Sequence, residues 1–257
     1  MKTETVDEVF AKTLVGDYDD EAPWAAVNEL RSLGTREVFD RAAEWCASAE
    51  PLKRARGADV LAQLGRTSDH HENTYPEDSF AVISSLIQTE KELEPLGSAI
   101  YALGHIGDLR AVPLLAQYQK HSDAEIRFAL ACAMGNFSGD ATAADVLVHL
   151  SRDEDEDIRD WATFGIGALG KRDSPAIRDA LVGRLDDSFE DVRQEAIVGL
   201  ARLKDERVLP ALLSALNQSE LPCIIIEAAT EMLGLSDSAD ARTPAECTAE
   251  LRKKYGL

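Results

Sequence analysis

The stretch DEDIRDWATFGIGALG at residues 155–170 decides the fold once it is laid over DAEIRFALACAMGNF at 123–137 and FEDVRQEAIVGLARL at 189–203. Each contains an arginine, namely Arg127, Arg159 or Arg193, with small or apolar residues three, seven and ten positions on. Those positions hold Leu130, Met134 and Phe137, then Ala162, Ile166 and Leu169, then Ala196, Leu200 and Leu203. Residues so spaced fall on one stripe of an α-helix. Weaker copies start at Pro23, Arg54, Leu96 and Ile225, with Leu33, Leu64, Ile106 and Leu235 at their ten-on positions. Successive starts differ by 31, 42, 31, 32, 34 and 32 residues, a near-constant period with one interval about ten residues too long.

A second apolar-periodic stretch follows each copy after a polar turn, as in Val208, Leu209, Leu212, Leu213 and Leu216, or Ile177, Leu181 and Leu185. Pro113, Pro175, Pro210 and Pro244 fall in the opening turns of these second helices, where the missing N–H costs nothing. Ser188-Phe189-Glu190-Asp191 reads as a capped helix start, close to a capping box. Two helices cannot bury both their apolar faces alone, so hairpins must stack. The expectation is an all-α superhelix of about seven helical hairpins in a single domain, residues 1–257. An N-terminal capping helix is expected at about 3–16, where Val6, Val9, Phe10 and Leu14 form a stripe. A polar insertion is expected at about 67–78, where the long interval falls.

The motifs around the arginines, DAEIR, DEDIR and EDVR, resemble HEAT repeats of the phycobilisome-lyase-like subclass over residues 20 to 257. That resemblance implies an α-solenoid in which Arg127, Arg159 and Arg193 form a structural ladder between repeats. A narrower resemblance lies in DIRDWATF at 157–164, SPAIRD at 174–179, VRQEAIVGL at 192–200 and IIEAA at 225–229. It extends to Ala43-Glu44-Trp45-Cys46 and Arg54-Ala55-Arg56-Gly57-Ala58. These segments are similar to enterobacterial HEAT-repeat proteins encoded beside Rhs polymorphic toxins, which implies an immunity protein that neutralises a cognate toxin.

Charge points the same way. Twenty-seven basic against 47 acidic residues give a net charge of −20, with acidic clusters at residues 17–21 and 153–157. Such a field repels nucleic acid, whose binding rests on Lys and Arg neutralising phosphates, and weighs against a DNA-glycosylase type of HEAT-like protein. It favours a basic protein partner by electrostatic steering. No apolar run spans a bilayer, and residues 1–16 lack the apolar core of a signal peptide, so the expected location is the cytoplasm and no membrane is involved. Cys46, Cys132, Cys223 and Cys247 stand singly, as expected of reduced thiols.

Two apparent chemical motifs are weak. Gly165-Ile166-Gly167-Ala168-Leu169-Gly170 spells G-x-G-x-x-G but sits in a helix rather than after a strand, so its glycines read as close helix packing and a helix stop. His70-His71-Glu72 resembles one half of the metal-binding pairs of deoxyhypusine hydroxylase, but only one pair exists and it falls in the polar insertion. No catalytic, metal or cofactor residue is assigned. The alternative to a binding scaffold is a HEAT-like enzyme of the metal-dependent hydroxylase or bilin lyase type. Candidate partner contacts are Trp161, Glu195 and Glu227, which share one station two residues after the arginine position or its equivalent, with Asp160 and Arg178 nearby. Arg159's neighbours hold Ala129 and Glu195 there, so the repeat does not demand an aromatic. The plainer alternative is that Trp161 fills a groove between repeats.

Overall fold

The computed structural model describes residues 4–218, 221–235 and 242–257, and these contain helices and no strand. The seven first helices stand where the apolar offsets place them: α2 (Glu21–Leu33), α4 (Pro51–Ala62), α6 (Leu93–Ile106), α8 (Ala124–Gly135), α10 (Glu156–Ile166), α12 (Glu190–Arg202) and α14 (Cys223–Leu233). The second helices between and after them are α3 (Arg36–Cys46), α5 (Pro76–Thr89), α7 (Ala111–Ala116), α9 (Ala141–Leu150), α11 (Pro175–Val182), α13 (Leu209–Ala215) and α15 (Pro244–Tyr255). The chain divides into two compact units, Met1–Asn136 and Phe137–Leu257.

In the N-terminal unit α1 (Val6–Lys12) precedes the first hairpin. Thr5 and Glu8 form a reciprocal capping box at its start, and Val9 and Phe10 are buried on its inner face. The Phe10 ring lies 4.8 Å from that of Trp45 on α3. Helices α2, α4 and α6 pack side by side, as do α6 and α8, while α3 packs against α5. Leu30, Leu61, Leu64, Ile83, Ile100 and Leu103 are fully enclosed between these layers. The long interval is loop only as far as Tyr75. Pro76 then occupies the first turn of α5, with Glu77 and Asp78 at its positive end, so the last part of the polar stretch is helical. Asn73 closes the loop by donating to the Leu61 carbonyl at 2.8 Å.

The C-terminal unit repeats this plan, with α10, α12 and α14 adjacent in one row and α9 against α11. Ser174 caps α11 by accepting the Ile177 N–H, and Pro175 fills its first turn. The start of α12 departs from the sequence expectation. Its N-cap is Phe189, and no side chain at that residue caps it. Instead Asp187 accepts the Phe189 N–H at 3.0 Å, because Arg159 holds that carboxylate at the helix entrance and Ser188 is not required. Lys254 of α15 donates to the Met232 and Leu233 carbonyls, neutralising the negative end of α14.

Close approach of α10 and α12 depends on two glycines. A Cβ on Gly199 would sit 2.7 Å from the Gly167 Cα, and one on Gly167 would sit 3.2 Å from the Glu195 carbonyl oxygen. Only residues without a Cβ allow that backbone contact. It brings the outward-facing side chains of α10 within electrostatic reach of those on α12.

Candidate functional site

The first-helix row is held by a recurring arginine device. Arg159 donates through Nη1 to the carbonyls of Asp153 and Glu154, six and five residues earlier, at 3.0 Å each. Its Nε and Nη2 form a fork on Asp187 at 3.0 and 2.9 Å, in the turn before the next first helix. Arg193 binds the carbonyls of Asp187 and Ser188 in the same way, and Arg127 those of His121 and Ser122. Arg54 is a further copy, donating to the carbonyls of Ser48 and Ala49 and forking onto Glu90. Burial alone would raise the Asp187 carboxyl, but the hydrogen bonds from Arg159 and the Phe189 N–H prevail and hold it below the usual carboxylate range.

On the outer face of the same row in the C-terminal unit, Trp161 is 42 % exposed and meets Phe164 edge-on, with ring centroids 5.8 Å apart. Asp160 and Glu195 are both half-buried. The Asp160 carboxyl is pushed up to about 6 by burial, reinforced by Asp191 and Asp157. That of Glu195 is pushed up to about 7 by burial, reinforced by Asp160 and Asp191. Oδ1 of Asp160 and Oε2 of Glu195 are enclosed and have no hydrogen-bond partner among the described residues. The structure therefore brings Asp160 and Glu195 together and adds Asp157 and Asp191 to them. Glu227 is exposed on α14 and does not act on either carboxyl.

Arg178 belongs to a different cluster. Its guanidinium forks onto Asp173 at 2.7 and 2.8 Å and also reaches Asp205 and the Leu203 carbonyl. Arg207 joins Asp205 from the other side and bridges to Asp179. Hydrogen bonds from Arg207 first, then Arg178, hold the Asp205 carboxyl well below its ordinary value. Arg178 thus ties α11 to the turn leading into α13 and makes no bond to Asp160 or Glu195.

The same repeat station is occupied very differently in the N-terminal unit. Arg56 and Ser98 stand there on α4 and α6, both buried, and the segment between α1 and α2 lies over them. Arg56 donates through Nε to the Thr13 carbonyl at 3.0 Å and through Nη2 to the Tyr18 carbonyl at 2.7 Å. Its guanidinium also lies 4.1 Å from the centroid of the Tyr18 ring. The Tyr18 hydroxyl donates to Asp59 at about 2.9 Å and shares a hydrogen bond with Ser98 at 2.8 Å. Burial pushes the Asp59 carboxyl up, against the hydrogen bonds of Tyr18 and Ser98 and the charge of Arg56.

The family profile for HEAT repeats matches residues 80–167 and 164–234. The chain belongs to the HEAT-repeat family. It is 28 % identical to Protein YibA of Escherichia coli strain K12 over 232 residues, covering 88 % of this chain and 80 % of that protein. The X-ray structure of the E. coli protein superposes with a TM-score of 0.72 at 26 % identity, covering 96 % of this chain and 92 % of that one. A shorter match, 30 % identical over 107 residues, is to the phycocyanobilin lyase subunit alpha of Thermosynechococcus vestitus. It covers 42 % of this chain and 38 % of the lyase subunit.

Within a HEAT framework the glycine-rich stretch at 165–170 has a packing role, since Gly165 and Gly167 are buried where α10 ends against α12. His70, His71 and Glu72 are exposed in the loop before α5. Among the described residues no three His, Cys, Asp or Glu side chains are placed to share a metal ion. Cys46 and Cys247 are buried, Cys132 is half-buried and Cys223 exposed, and all four are free thiols. Among the described residues no helix is long and apolar enough to cross a membrane.

Proposed function

We propose that this HEAT-repeat chain is a non-enzymatic protein-binding module that docks a basic protein on the first-helix row of its C-terminal unit. Trp161 is the aromatic anchor, and Asp160, Glu195 and Glu227 supply the charge. In its sharpest form the reading is an immunity protein that neutralises a basic toxin. The observation that supports it most is the pair of enclosed, unpartnered carboxylate oxygens on Asp160 and Glu195 beside an exposed tryptophan. Such groups cost stability in the free chain, and a cation from a partner would compensate them. Arg127, Arg159 and Arg193 serve as the structural ladder in this reading, and Arg178 as a brace.

The test is capture of partners by the tagged chain across a salt series, followed by affinity measurement with the purified partner. A single basic protein, released by salt, is expected. Trp161→Ala should then weaken binding roughly tenfold or more, as for an aromatic anchor at an interface centre. Unchanged affinity would remove Trp161 from the contact, and capture of nothing basic would sink the reading.

The phycocyanobilin lyase similarity favours one other reading, chromophore handling. Mixing the chain with a bilin and recording visible absorbance tests it: a coloured stoichiometric adduct would support a lyase role. Stoichiometric iron lost on replacing His71 and Glu72 would likewise support a metal enzyme.

A further inference from the structure

In a chain of net charge −20, one edge of the N-terminal unit gathers cations that form no ion pair among the described residues. Arg31 lies in the last turn of α2, His105 in the last turn of α6, and Arg66 just beyond α4. The three are linked through the backbone. The Gly65 N–H donates to the Arg31 carbonyl at 2.7 Å, and Arg66 Nη2 donates to the His105 carbonyl at 2.8 Å. The turns touch closely enough that a Cβ on Gly34 would lie 2.9 Å from the Gly65 Cα. Arg31 donates through Nε and Nη2 to the Asp59 carbonyl and through Nη1 to the Asn28 side chain, which leaves one N–H on each terminal nitrogen, and it lies 5.6 Å from the centroid of the Trp24 ring. All three cationic residues are partly exposed, and none forms an ion pair among the described residues.

The C-terminal ends of helices attract cations, which accounts for each residue singly. It does not account for their being gathered. Burial first, then the charges of Arg31 and Arg66, hold the His105 imidazole below its ordinary value. Burial also lowers Arg31, with Arg66 acting in the same direction and Asp59 against it. Arg66 Nε is enclosed without a partner. Like charges this close are costly unless an opposite charge joins them, and among the described residues Asp59 acts on Arg31 without an ion pair and no acid bonds to any of the three.

We propose that this edge is an oxyanion site, in which a carboxylate or phosphate group is held by the exposed faces of Arg31, Arg66 and His105. Guanidinium groups suit that chemistry because their planar donors match two oxygens of such a group at once. The site lies on the N-terminal unit and takes the opposite charge to the proposed docking face, so it stands or falls separately from that reading. A bound anion favours the protonated imidazole, so occupancy is written in the titration of His105.

The experiment is an NMR titration of all five histidines in the full chain, in chloride, acetate or inorganic phosphate at one ionic strength. The expected result is a rise of about one unit in the His105 pKa with phosphate or acetate, while His70, His71, His121 and His149 stay where chloride leaves them. A rise with phosphate alone assigns a phosphate ligand, and a rise with both assigns a carboxylate-tolerant site. Arg66→Gln should abolish the rise. Should that variant not fold, Arg66→Lys keeps the charge but loses the fork, and should weaken the anion severalfold. Identical His105 titration in the three salts, or equal movement of all five histidines, would overturn the proposal and leave the cations as helix-end caps.

Discussion

At the second residue after the repeat's arginine position, the N-terminal unit carries Arg56 and Ser98 on α4 and α6, flanked by Ala25 and Ala129 on α2 and α8, whereas the C-terminal unit carries Trp161, Glu195 and Glu227. In the first case the chain covers the station with its own segment. Tyr18, Thr13 and Asp59 satisfy Arg56 from three sides, and the guanidinium is only 1 % exposed. In the second, two half-buried carboxylates lie within reach of the charge of Asp191, and among the described residues nothing opposite in charge is bonded to them. The repeat determines where the station lies, and the side chains placed there determine whether it becomes core or an available surface. A solenoid built from near-identical hairpins can thus assign different tasks to equivalent positions.

The largest effect should come from breaking the closed station. Arg56→Met leaves the Asp59 carboxylate buried without its cation, a change that costs about 3–5 kcal/mol in comparable buried pairs. Urea denaturation should show that loss. A cost under about 1 kcal/mol would mean that Tyr18 and Ser98 alone satisfy Asp59. Tyr18→Phe removes one hydroxyl that serves both Asp59 and Ser98. It should cost about 1–3 kcal/mol, and hydrogen exchange should speed up selectively over residues 13–20. Exchange that rises evenly over the whole chain would argue against a segment fastened at that point.

Much of this contrast was legible in the sequence, and the missing part has identifiable causes. Apolar offsets placed all seven first helices because most of those positions are buried within the hairpins, although Leu33 and Leu169, at ten-on positions, are exposed. Trp161 stands out because the repeat does not demand an aromatic at its station, and Glu195 because it shares that station in the next repeat. Asp157 and Asp191 were not singled out. They sit in the first turns of α10 and α12, where acids are ordinarily explained by the helix dipole. One helical turn later come Asp160 with Trp161, and Gln194 with Glu195, so the i to i+3 or i+4 relation was the signal available. The sequence reading places Arg178 beside the partner-contact stripe, but Asp173 and Asp205 hold it, and Asp205 comes from the following repeat. The Tyr18, Asp59 and Ser98 contact joins the segment between α1 and α2 to α4 and α6, and no period within the chain encodes it.

The open station makes the smallest but most diagnostic prediction, because its sign is unusual. A carboxyl raised on folding binds its proton more tightly in the folded chain than in the unfolded one. Its contribution is complete below the ordinary carboxylate range near pH 4 and declines as pH rises through about 6 and 7 for Asp160 and Glu195. Neutralising such a group should therefore stabilise the protein above that window and do little below it. The most direct measurement is chemical denaturation of the wild type and Glu195→Gln at pH 5 and pH 8. The expected result is a gain for the variant that is roughly 1 kcal/mol larger at pH 8 than at pH 5, where only part of the loss has occurred. A variant less stable than wild type at pH 8 would show that the Glu195 carboxylate is already compensated within the chain, and would contradict the account of an open, charge-unsatisfied face.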